Sequence, residues 1–351
     1  MAQSAVAALR RESEGIVHAV PFPYLLFLGD TIEPGFAKTA FGLRDWAGDR
    51  CTGEFALPGA TVSTGLSKMT PGQAAACGAR AMVIAVANPG GMIPASWMPA
   101  LLEALEAGLD LVAGMHVRLS ELAPLRDAAA RHERALVDLR VPPSSLPLAS
   151  GRKRTGRRLL TVGTDCALGK KYTALAIAHG LSARGMDATF RASGQTGIMI
   201  AGEGIAIDAV VADFATGAAE LLSPDAGWDH LDVIEGQGSL CHPTYAPVSL
   251  ALLHGSQPDL FVVCHEPGRT EILGNPGYAL ASIETVIEQT TIMGKLTNPA
   301  IRCAGISLNT GRLDVEAAKT VIADTAQRIG LPTADPIRGG QAFEALLDAC
   351  Q

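Results

Sequence analysis

The sequence predicts an α/β protein with two domains, each built on a parallel sheet that helices cover on both faces. Short apolar runs alternate with helical patterns along the chain, which is typical of parallel sheets. The 351 residues exceed the usual size of one small core. The alternation is interrupted at 141–158, where Pro and Ser accumulate and the periodicity is lost. We therefore place the domains at 1–145 and 155–351.

In the first domain, runs of five to seven mostly apolar residues predict buried strands, and glycine-rich turns follow several of them. The predicted strands are 24–29, 81–87, 109–114 and 135–139. Helical periodicity predicts a helix over 95–108, because Leu101, Leu102 and Leu105 fall on one face.

The second domain repeats the alternation of strands and helices. The predicted strands are 158–163, 187–192, 231–235, 259–264 and 303–309. One helix is predicted to begin at Lys170 and to be closed by Gly185, because glycine commonly ends helices. A second, amphipathic helix is predicted over 315–329.

Composition and charge exclude several classes of protein. Hydrophobic residues make up 48% of the chain and charged residues 18%, which argues against disorder. The net charge of −7 provides no overall attraction for nucleic acid, so we expect no nucleic-acid partner. A basic cluster, Lys153, Arg154, Arg157 and Arg158, is interpreted as a solvated linker in preference to a phosphate-binding patch.

Cysteine usage and hydropathy indicate a cytoplasmic protein that does not bind membranes. The seven cysteines are odd in number and form no C-x-x-C, so neither a disulfide framework nor a zinc site is expected. Residues 1–20 contain no apolar stretch of signal-peptide length. No apolar run reaches the roughly 18 residues that a membrane span requires.

The segment 162–176, VGTDCALGKKYTALA, has the pattern of a phosphate-binding loop between a strand and a helix. In such a loop, backbone N–H groups, the helix dipole and a lysine hold phosphate oxygens together. Five residues separate Gly163 from Gly169, one more than in the standard motif, and Lys170 follows. A plain strand-to-helix turn that binds nothing is the alternative. The predicted cofactor-binding residues are Gly163, Thr164, Asp165, Cys166, Ala167, Leu168, Gly169, Lys170, Lys171 and Tyr172.

Lys171 stands where a nucleotide triphosphatase normally has a Ser or Thr hydroxyl for Mg²⁺. Losing this hydroxyl removes a metal ligand on which phosphoryl transfer relies. The added lysine supplies positive charge that a metal would otherwise bring, so we expect no metal. Tyr172 or Thr173 could alternatively offer a hydroxyl from the next positions.

Polar residues also follow other predicted strands of the second domain, at the sheet edge where open α/β sheets bind ligands. Together they predict a binding crevice, although each could instead be a capping or turn residue. These residues are Ser193, Gln195, Thr196, Glu235, Gln237, Ser239, His242, His265, Glu266, Arg269 and Asn309. Asp213, in the segment 202–220, is a further candidate that could instead cap a helix.

Several of these stretches together resemble a known family, the bacterial D-glutamate N-acetyltransferases. The most specific are GTDCALGKKYT, SGQTGIMIAGEGIAIDAVVADF, EGQGSLCHP and GISLNTG. The first half carries similar blocks, FAKTAFGLRDW, AVANPGGMIP and AGLDLVAGMHVRLSE, so the resemblance covers nearly the whole chain. It implies a Rossmann-like N-terminal domain and a C-terminal domain of P-loop NTPase type. The C-terminal half is also distantly similar to dethiobiotin synthetase, which implies that Asn309 contacts an adenine.

The resemblance implies transfer of acetyl from acetyl-CoA to the amino group of D-glutamate, a step of D-amino-acid catabolism. Coenzyme A carries phosphates, so a phosphate loop can hold it without a metal. Two alternatives stay open: an ATP- and Mg²⁺-dependent ligase of dethiobiotin-synthetase type, and a nucleotide-binding regulatory module without chemistry. A homo-oligomer is expected from base rates.

The proposed reaction needs a general base for the amine and cations for the substrate carboxylates. Glu235 is the first candidate for the base, followed by His242 and Asp213. The predicted substrate-binding residues are Arg191, Ser193, Gln195 and Arg269. Cys166 is not favoured as an acyl-enzyme nucleophile, because no His is close to it in sequence and the amine can attack directly.

Overall fold

The computed structural model describes residues 20–87 and 89–351 and confirms the α/β class with parallel sheets. The chain divides into two compact units. The first contains the described residues up to Val141 together with Ile198–Ala206, and the second contains Pro142–Gly197 and Ile207–Gln351. The first unit thus takes a segment from the second half of the chain, which the linker pattern does not predict. The signal-peptide interpretation concerns residues 1–20, of which 1–19 lie outside the described residues.

The described part of the first unit contains a five-stranded sheet in the order β2-β1-β3-β4-β5, and all neighbouring strands are parallel. The strands are β1 (Tyr24–Gly29), β2 (Cys51–Ala56), β3 (Ala81–Ile84), β4 (Asp110–Ala113) and β5 (Leu136–Asp138). The helices are α1 (Lys38–Trp46), α2 (Pro71–Ala76), α3 (Met98–Glu106) and α4 (Ala123–His132).

Strand β2 is not predicted from the sequence because its residues, CTGEFA, do not form an apolar run. Its buried Glu54 carboxylate accepts hydrogen bonds from the Ser63 hydroxyl at 2.5 Å and from the Thr64 N–H and hydroxyl at 2.6 and 2.5 Å. A charged side chain is therefore accommodated inside a strand because local donors satisfy it.

The second unit contains a six-stranded sheet in the order β11-β10-β9-β6-β8-β7, again parallel throughout. Its strands are β6 (Arg157–Gly163), β7 (Ala188–Arg191), β8 (Leu231–Ile234), β9 (Leu260–His265), β10 (Arg302–Leu308) and β11 (Thr333–Ala334). The helices of this half of the chain are α5 (Lys170–Ala183), α6 (Gln195–Ala201), α7 (Ala212–Leu222), α8 (Ala246–Ser256), α9 (Ile283–Gly294), α10 (Val315–Ile329) and α11 (Gly340–Ala349).

The strand order of the second sheet determines which loops meet. The interior strand β6 pairs with β8 on one side and with β9 on the other, and β7 lies beyond β8. The segments that follow these parallel strands therefore share one edge of the sheet. The predicted phosphate loop is placed at the middle of that edge.

Two general properties of the chain are also visible. Among the helices of the described residues, none is both long enough and apolar enough to cross a membrane. All seven cysteines lie in the described residues, and each is a free thiol.

The interpretation of the basic cluster as a solvated linker is wrong for two of its members. Arg154 and Arg158 are only 6% and 1% exposed. Arg158 donates to the backbone carbonyls of Thr155 at 2.9 Å and Pro224 at 2.9 Å, and both arginines donate to the carbonyl of Ser223. Arg154 also reaches the carbonyl of Gly255 at 2.7 Å. These side chains join the amino end of β6 to the ends of α7 and α8.

We predict that Arg158→Met lowers the free energy of unfolding of the protein by about 3 kcal/mol, because several buried carbonyls lose a charged donor. Urea denaturation followed by circular dichroism measures the change. Arg152→Met is the matched control, since Arg152 is 62% exposed in its ion pair with Asp225 and should leave the transition nearly unchanged. Equal stability of the wild type and Arg158→Met would contradict the anchoring role.

Candidate active site

The predicted phosphate loop lies between the end of β6 at Gly163 and the start of α5 at Lys170. Its turn uses left-handed backbone at Ala167, with φ 55°, and at Gly169, with φ 103°. Glycine adopts this conformation easily, whereas an alanine there is strained. The neighbouring Leu168 is 2% exposed and packs inward, which helps to hold the strained turn.

Asp165 organises this loop from inside. Its side chain has no exposure to solvent. One carboxylate oxygen accepts the N–H of Cys166 at 2.6 Å, and the other accepts the N–H of Leu273 at 2.8 Å and Arg269 Nη1 at 3.0 Å. Asp165 therefore fixes the loop and ties the segment after β9 to it.

Lys170 begins helix α5 and is 7% exposed. Its Nζ donates to the backbone carbonyl of Asp165 at 2.7 Å, so the amine is directed into the loop. Burial lowers the pKa of Lys170, while Cys166 and Asp165 act in the opposite direction. An anion bound in the loop would favour the charged amine further.

Glu235 follows β8 directly and is 4% exposed. Its Oε2 accepts the N–H groups of Ser193 and Gly194, each at 3.1 Å. The Ser193 hydroxyl donates to the Glu235 carbonyl at 2.5 Å. A Cβ atom added at Gly197 would collide with Oε2, so a larger residue there would displace the carboxylate. The segment after β7 is thus built around this carboxylate.

The environment of Glu235 suits a group that exchanges protons near neutrality. Burial raises the pKa of Glu235 to about 7. The charge of Lys171 and the N–H groups of Ser193 and Gly194 lower it, and the charge of Asp208 raises it. The residue in the metal-hydroxyl position of the loop, Lys171, therefore acts electrostatically on the carboxylate of the neighbouring strand.

His242 lies in the segment after Glu235 and is 2% exposed. Its Nδ1 accepts the N–H of Thr244 at 3.0 Å and the N–H of Tyr245 at 3.3 Å. Its Nε2 is 3.7 Å from Asp165 Oδ1 and has no hydrogen-bond partner among the described residues. Burial lowers the pKa of His242, Asp165 raises it and Lys170 lowers it.

Asp165, Cys166 and His242 also gather possible metal ligands. One ligand atom from each side chain lies within 4.8 Å of the others. A metal would need the lone pair of His242 Nε2, since the Nδ1 lone pair already accepts two N–H groups. A neutral imidazole with an occupied Nδ1 lone pair carries its proton on Nε2. This hydrogen bonding is unfavourable for a metal centre.

Two predicted substrate-binding residues also have partners within the protein. Arg191 donates through Nε to the buried Asp232 at 2.6 Å. Ser193 spends its hydroxyl and its N–H on Glu235. Both residues therefore support the sheet edge, and their contact with a substrate stays a prediction.

Arg269 is likewise engaged, since it pairs with Asp165 and Glu266 and donates to the Cys166 carbonyl at 2.9 Å. Asp213, the third candidate base, is exposed in the first turn of α7. Asp208, which affects the pKa of Glu235, is the nearby carboxylate on this segment. The position of Asp213 is typical of an acidic residue that stabilises a helix start.

The remaining predicted residues lie along the same sheet edge. Asn309 follows β10, is exposed, and its Oδ1 accepts the N–H of Gly311 at 3.2 Å. Gln195 begins α6 and is half-buried. Thr164 is buried, and its hydroxyl shares a 3.0 Å hydrogen bond with His265 Nδ1. Tyr172 lies in the first turn of α5, with Lys171 Nζ 5.3 Å from its ring centroid.

Three supporting residues are not among the predicted catalytic, cofactor-binding and substrate-binding residues. The hydroxyl of Thr161 accepts the N–H of Gly236 at 2.9 Å and so fixes the turn after Glu235. Gln237 Nε2 donates to the Ser193 hydroxyl at 3.1 Å. Gly197 makes room for Glu235. Gln237 is among the polar residues that follow a predicted strand, whereas the sequence holds no comparable signal for Thr161 or Gly197.

Both halves of the chain match described families. Residues 147–346 match the family described as "Domain of unknown function (DUF1611_C) P-loop domain". Residues 55–142 match the family described as "Domain of unknown function (DUF1611_N) Rossmann-like domain". Together they confirm the expected types of the two folds.

Similar proteins cover nearly the full length of the chain. A protein of Pseudoalteromonas sp named D-glutamate N-acetyltransferase is 46% identical over 91% of this chain and 96% of that protein. One of Tritonibacter scottomollicae with the same name is 47% identical over the same shares. The crystal structure of a DUF1611 family protein from Anabaena variabilis matches with a TM-score of 0.83 and 33% identity, covering 93% of this chain and 98% of that one.

We predict that Glu235→Gln gains stability relative to the wild type as the pH rises from 4.5 to 8. An unfolded Glu235 ionises near its ordinary pKa of 4.5, whereas the folded one ionises near 7. The folded state binds more protons in this window, so the wild-type free energy of unfolding falls as the pH rises, by about 3 kcal/mol from this group.

Urea denaturation of both proteins at pH 5 and at pH 8 measures this difference. The control substitution is Glu288→Gln, which makes the same change at an exposed glutamate on α9. A difference between Glu235→Gln and the wild type that does not change with pH would contradict the raised pKa.

Proposed function

Because the chain belongs to the DUF1611 family, we propose that it is an N-acetyltransferase that moves acetyl from acetyl-CoA to the amino group of D-glutamate. The observation that carries the proposal is the near full-length match to two proteins named for acetylation of D-glutamate. The site supports it with an anion-binding loop next to a buried carboxylate whose pKa is about 7. We place the reaction in D-amino-acid catabolism.

The loop suits the acetyl donor because coenzyme A carries a pyrophosphate and a 3′-phosphate. The start of α5 and Lys170 Nζ point positive charge into the loop. Burial disfavours the charge on Lys170 until an anion arrives, so binding of phosphate restores a favourable ion pair. Asn309, exposed at the end of β10, is the proposed contact for the adenine.

Glu235 is the proposed general base. The amino group of glutamate is protonated at neutral pH and must lose a proton before it attacks the thioester carbonyl. Glu235 accepts that proton, the new C–N bond forms, and the C–S bond breaks. The nitrogen then loses a second proton to the departing sulfur, so coenzyme A leaves as the thiol. A base with a pKa near the working pH is efficient in this role, because it is partly ionised and still binds the proton well.

Lys171 provides the reason to prefer this reaction to the ATP-dependent ligase. The ligase also uses a phosphate loop and a carboxylate after a neighbouring strand. In this chain a lysine stands where the metal hydroxyl would be, and its charge acts on Glu235. Lys171 therefore supplies, beside Glu235, the positive charge that Mg²⁺ would supply in the ligase.

We predict that the purified protein releases coenzyme A thiol from acetyl-CoA when D-glutamate and EDTA are both present. Reactions with L-glutamate and without amino acid serve as controls and should give only background release. The measurement is the absorbance of a thiol reagent over time. ADP formation from ATP and Mg²⁺, with no thiol release in EDTA, would instead identify a ligase.

We predict that the pH dependence of the rate follows Glu235 and is tuned by Lys171. The rate constant kcat should rise as Glu235 ionises, around pH 7. Lys171→Met removes a cation that lowers this pKa and should move the rise upward by about one unit, whereas Lys171→Arg should not.

We predict that Glu235→Gln loses about 10²–10⁴-fold in kcat but retains its affinity for coenzyme A. Near-normal turnover of Glu235→Gln would contradict the assignment of the base.

A further inference from the structure

We propose that His242 is a neutral hydrogen-bond donor whose Nε2–H is reserved for a negatively charged oxygen of the ligand at the phosphate loop. The oxygen belongs either to a phosphate of coenzyme A or to the tetrahedral oxyanion formed during acetyl transfer. The identity of this ligand rests on the proposed function, whereas the protonation of the ring rests on geometry alone.

The hydrogen bonds of His242 determine which ring nitrogen carries the proton. Nδ1 faces the N–H groups of Thr244 and Tyr245, at 3.0 and 3.3 Å. A ring nitrogen can accept an N–H only through its lone pair, so Nδ1 has no proton. The neutral ring must then carry its proton on Nε2. In a doubly protonated ring, Nδ1–H would point at the backbone N–H groups of Thr244 and Tyr245 and be repelled by them.

The ring is held in this orientation by its surroundings. The two N–H groups that it accepts lie in the turn directly before helix α8, so Nδ1 fixes that turn. The ring of Tyr245 lies 4.6 Å from the His242 ring, measured between centroids. A flip of the ring about its Cβ–Cγ bond would place Cδ2–H against the same two donors and would leave both N–H groups without an acceptor.

The Nε2–H group itself is an unused donor. It is buried and has no hydrogen-bond partner among the described residues. Asp165 Oδ1 lies 3.7 Å away, which is too far for a hydrogen bond. Buried polar groups without partners are rare in native proteins, and a bound ligand is one explanation for such a group when it faces a binding loop. The groups around it, Asp165, Cys166 and Lys170, all belong to the phosphate loop and its helix.

This geometry separates the roles of the two candidate bases. Glu235 offers an acceptor whose pKa is about 7. His242 offers a donor and has no free lone pair to take a proton or to bind a metal. One residue therefore removes the proton of the amine, and the other stabilises negative charge.

Two-bond ¹H–¹⁵N NMR of the full-length protein tests the protonation directly. The chain has eight histidines, and the signal that is missing in His242→Gln assigns this ring. At pH 7 without ligand, we expect the Nε2–H tautomer. A proton on Nδ1, a doubly protonated ring, or loss of the Nε2–H signal on stoichiometric binding of Zn²⁺ would overturn the proposal.

Added ligands identify the oxygen. A shift of the Nε2–H signal with coenzyme A and with inorganic pyrophosphate indicates a phosphate contact. If neither ligand shifts the signal, the remaining partner is the acyl oxyanion. In that case His242→Leu must lower kcat and leave the affinity for coenzyme A unchanged. No shift together with wild-type kcat in His242→Leu would overturn the proposal.

Two substitutions distinguish a donor from a base. Gln places an N–H near the position of Nε2 but does not titrate, whereas Leu removes the donor. We expect His242→Gln to lose less than about tenfold and His242→Leu to lose about 10²–10³-fold, in kcat or in coenzyme A affinity. Equal losses in both variants would overturn the donor role.

Thermal denaturation shows whether each variant is folded, and the NMR test stands if the Leu variant is not. Failure of the proposed function would look different from failure of this inference. A wild-type protein that shows the Nε2–H tautomer and a shift with coenzyme A, but transfers no acetyl group, retains the donor site and loses only the assigned reaction.

Discussion

The site depends on the buried carboxylate of Asp165. A charge with no access to solvent is tolerated only when donors satisfy it, and here the Cys166 N–H, the Leu273 N–H and Arg269 do so. These bonds set the turn of the phosphate loop and fasten the segment after β9 against it. His242 approaches the same carboxylate but does not bond to it. Contacts within the chain thus hold the loop, and such pre-organisation lowers the cost of ordering a loop on binding.

A second buried carboxylate, Glu235, lies at the same sheet edge as Asp165. Asp165 is surrounded by donors and by Arg269, whereas Glu235 receives two backbone N–H groups and the influence of Lys171, and burial still raises its pKa to about 7. Two carboxylates at one sheet edge therefore have different surroundings. Groups with strongly perturbed pKa values, such as the Glu235 carboxylate, are frequent at functional sites.

The sequence predicts those parts of the molecule that local patterns encode. The loop from Gly163 to Lys170 is recognisable because its glycines and its lysine occur at a strand–helix junction. The convergence of Glu235 and Ser193 follows from parallel strands. The pairing of Arg191 with Asp232 and the burial of Arg158 are not predictable, since the partners are far apart in sequence and arginine usually lies at the surface. The proposed protonation of His242 is not predictable either, because it depends on two backbone N–H groups, and these carry no sequence pattern.

The buried arginines bear on how this protein can change over evolution. Arg154 and Arg158 fasten the amino end of the second sheet, the end opposite to the phosphate loop. The loop end carries features that oppose stability, a left-handed alanine and an unsatisfied buried imidazole. Because most substitutions destabilise, a protein accepts new ones only while it has stability in reserve. A chain that keeps its anchors away from its chemistry can exchange residues around the ligand, and so acquire a preference for another acyl acceptor, without losing its fold.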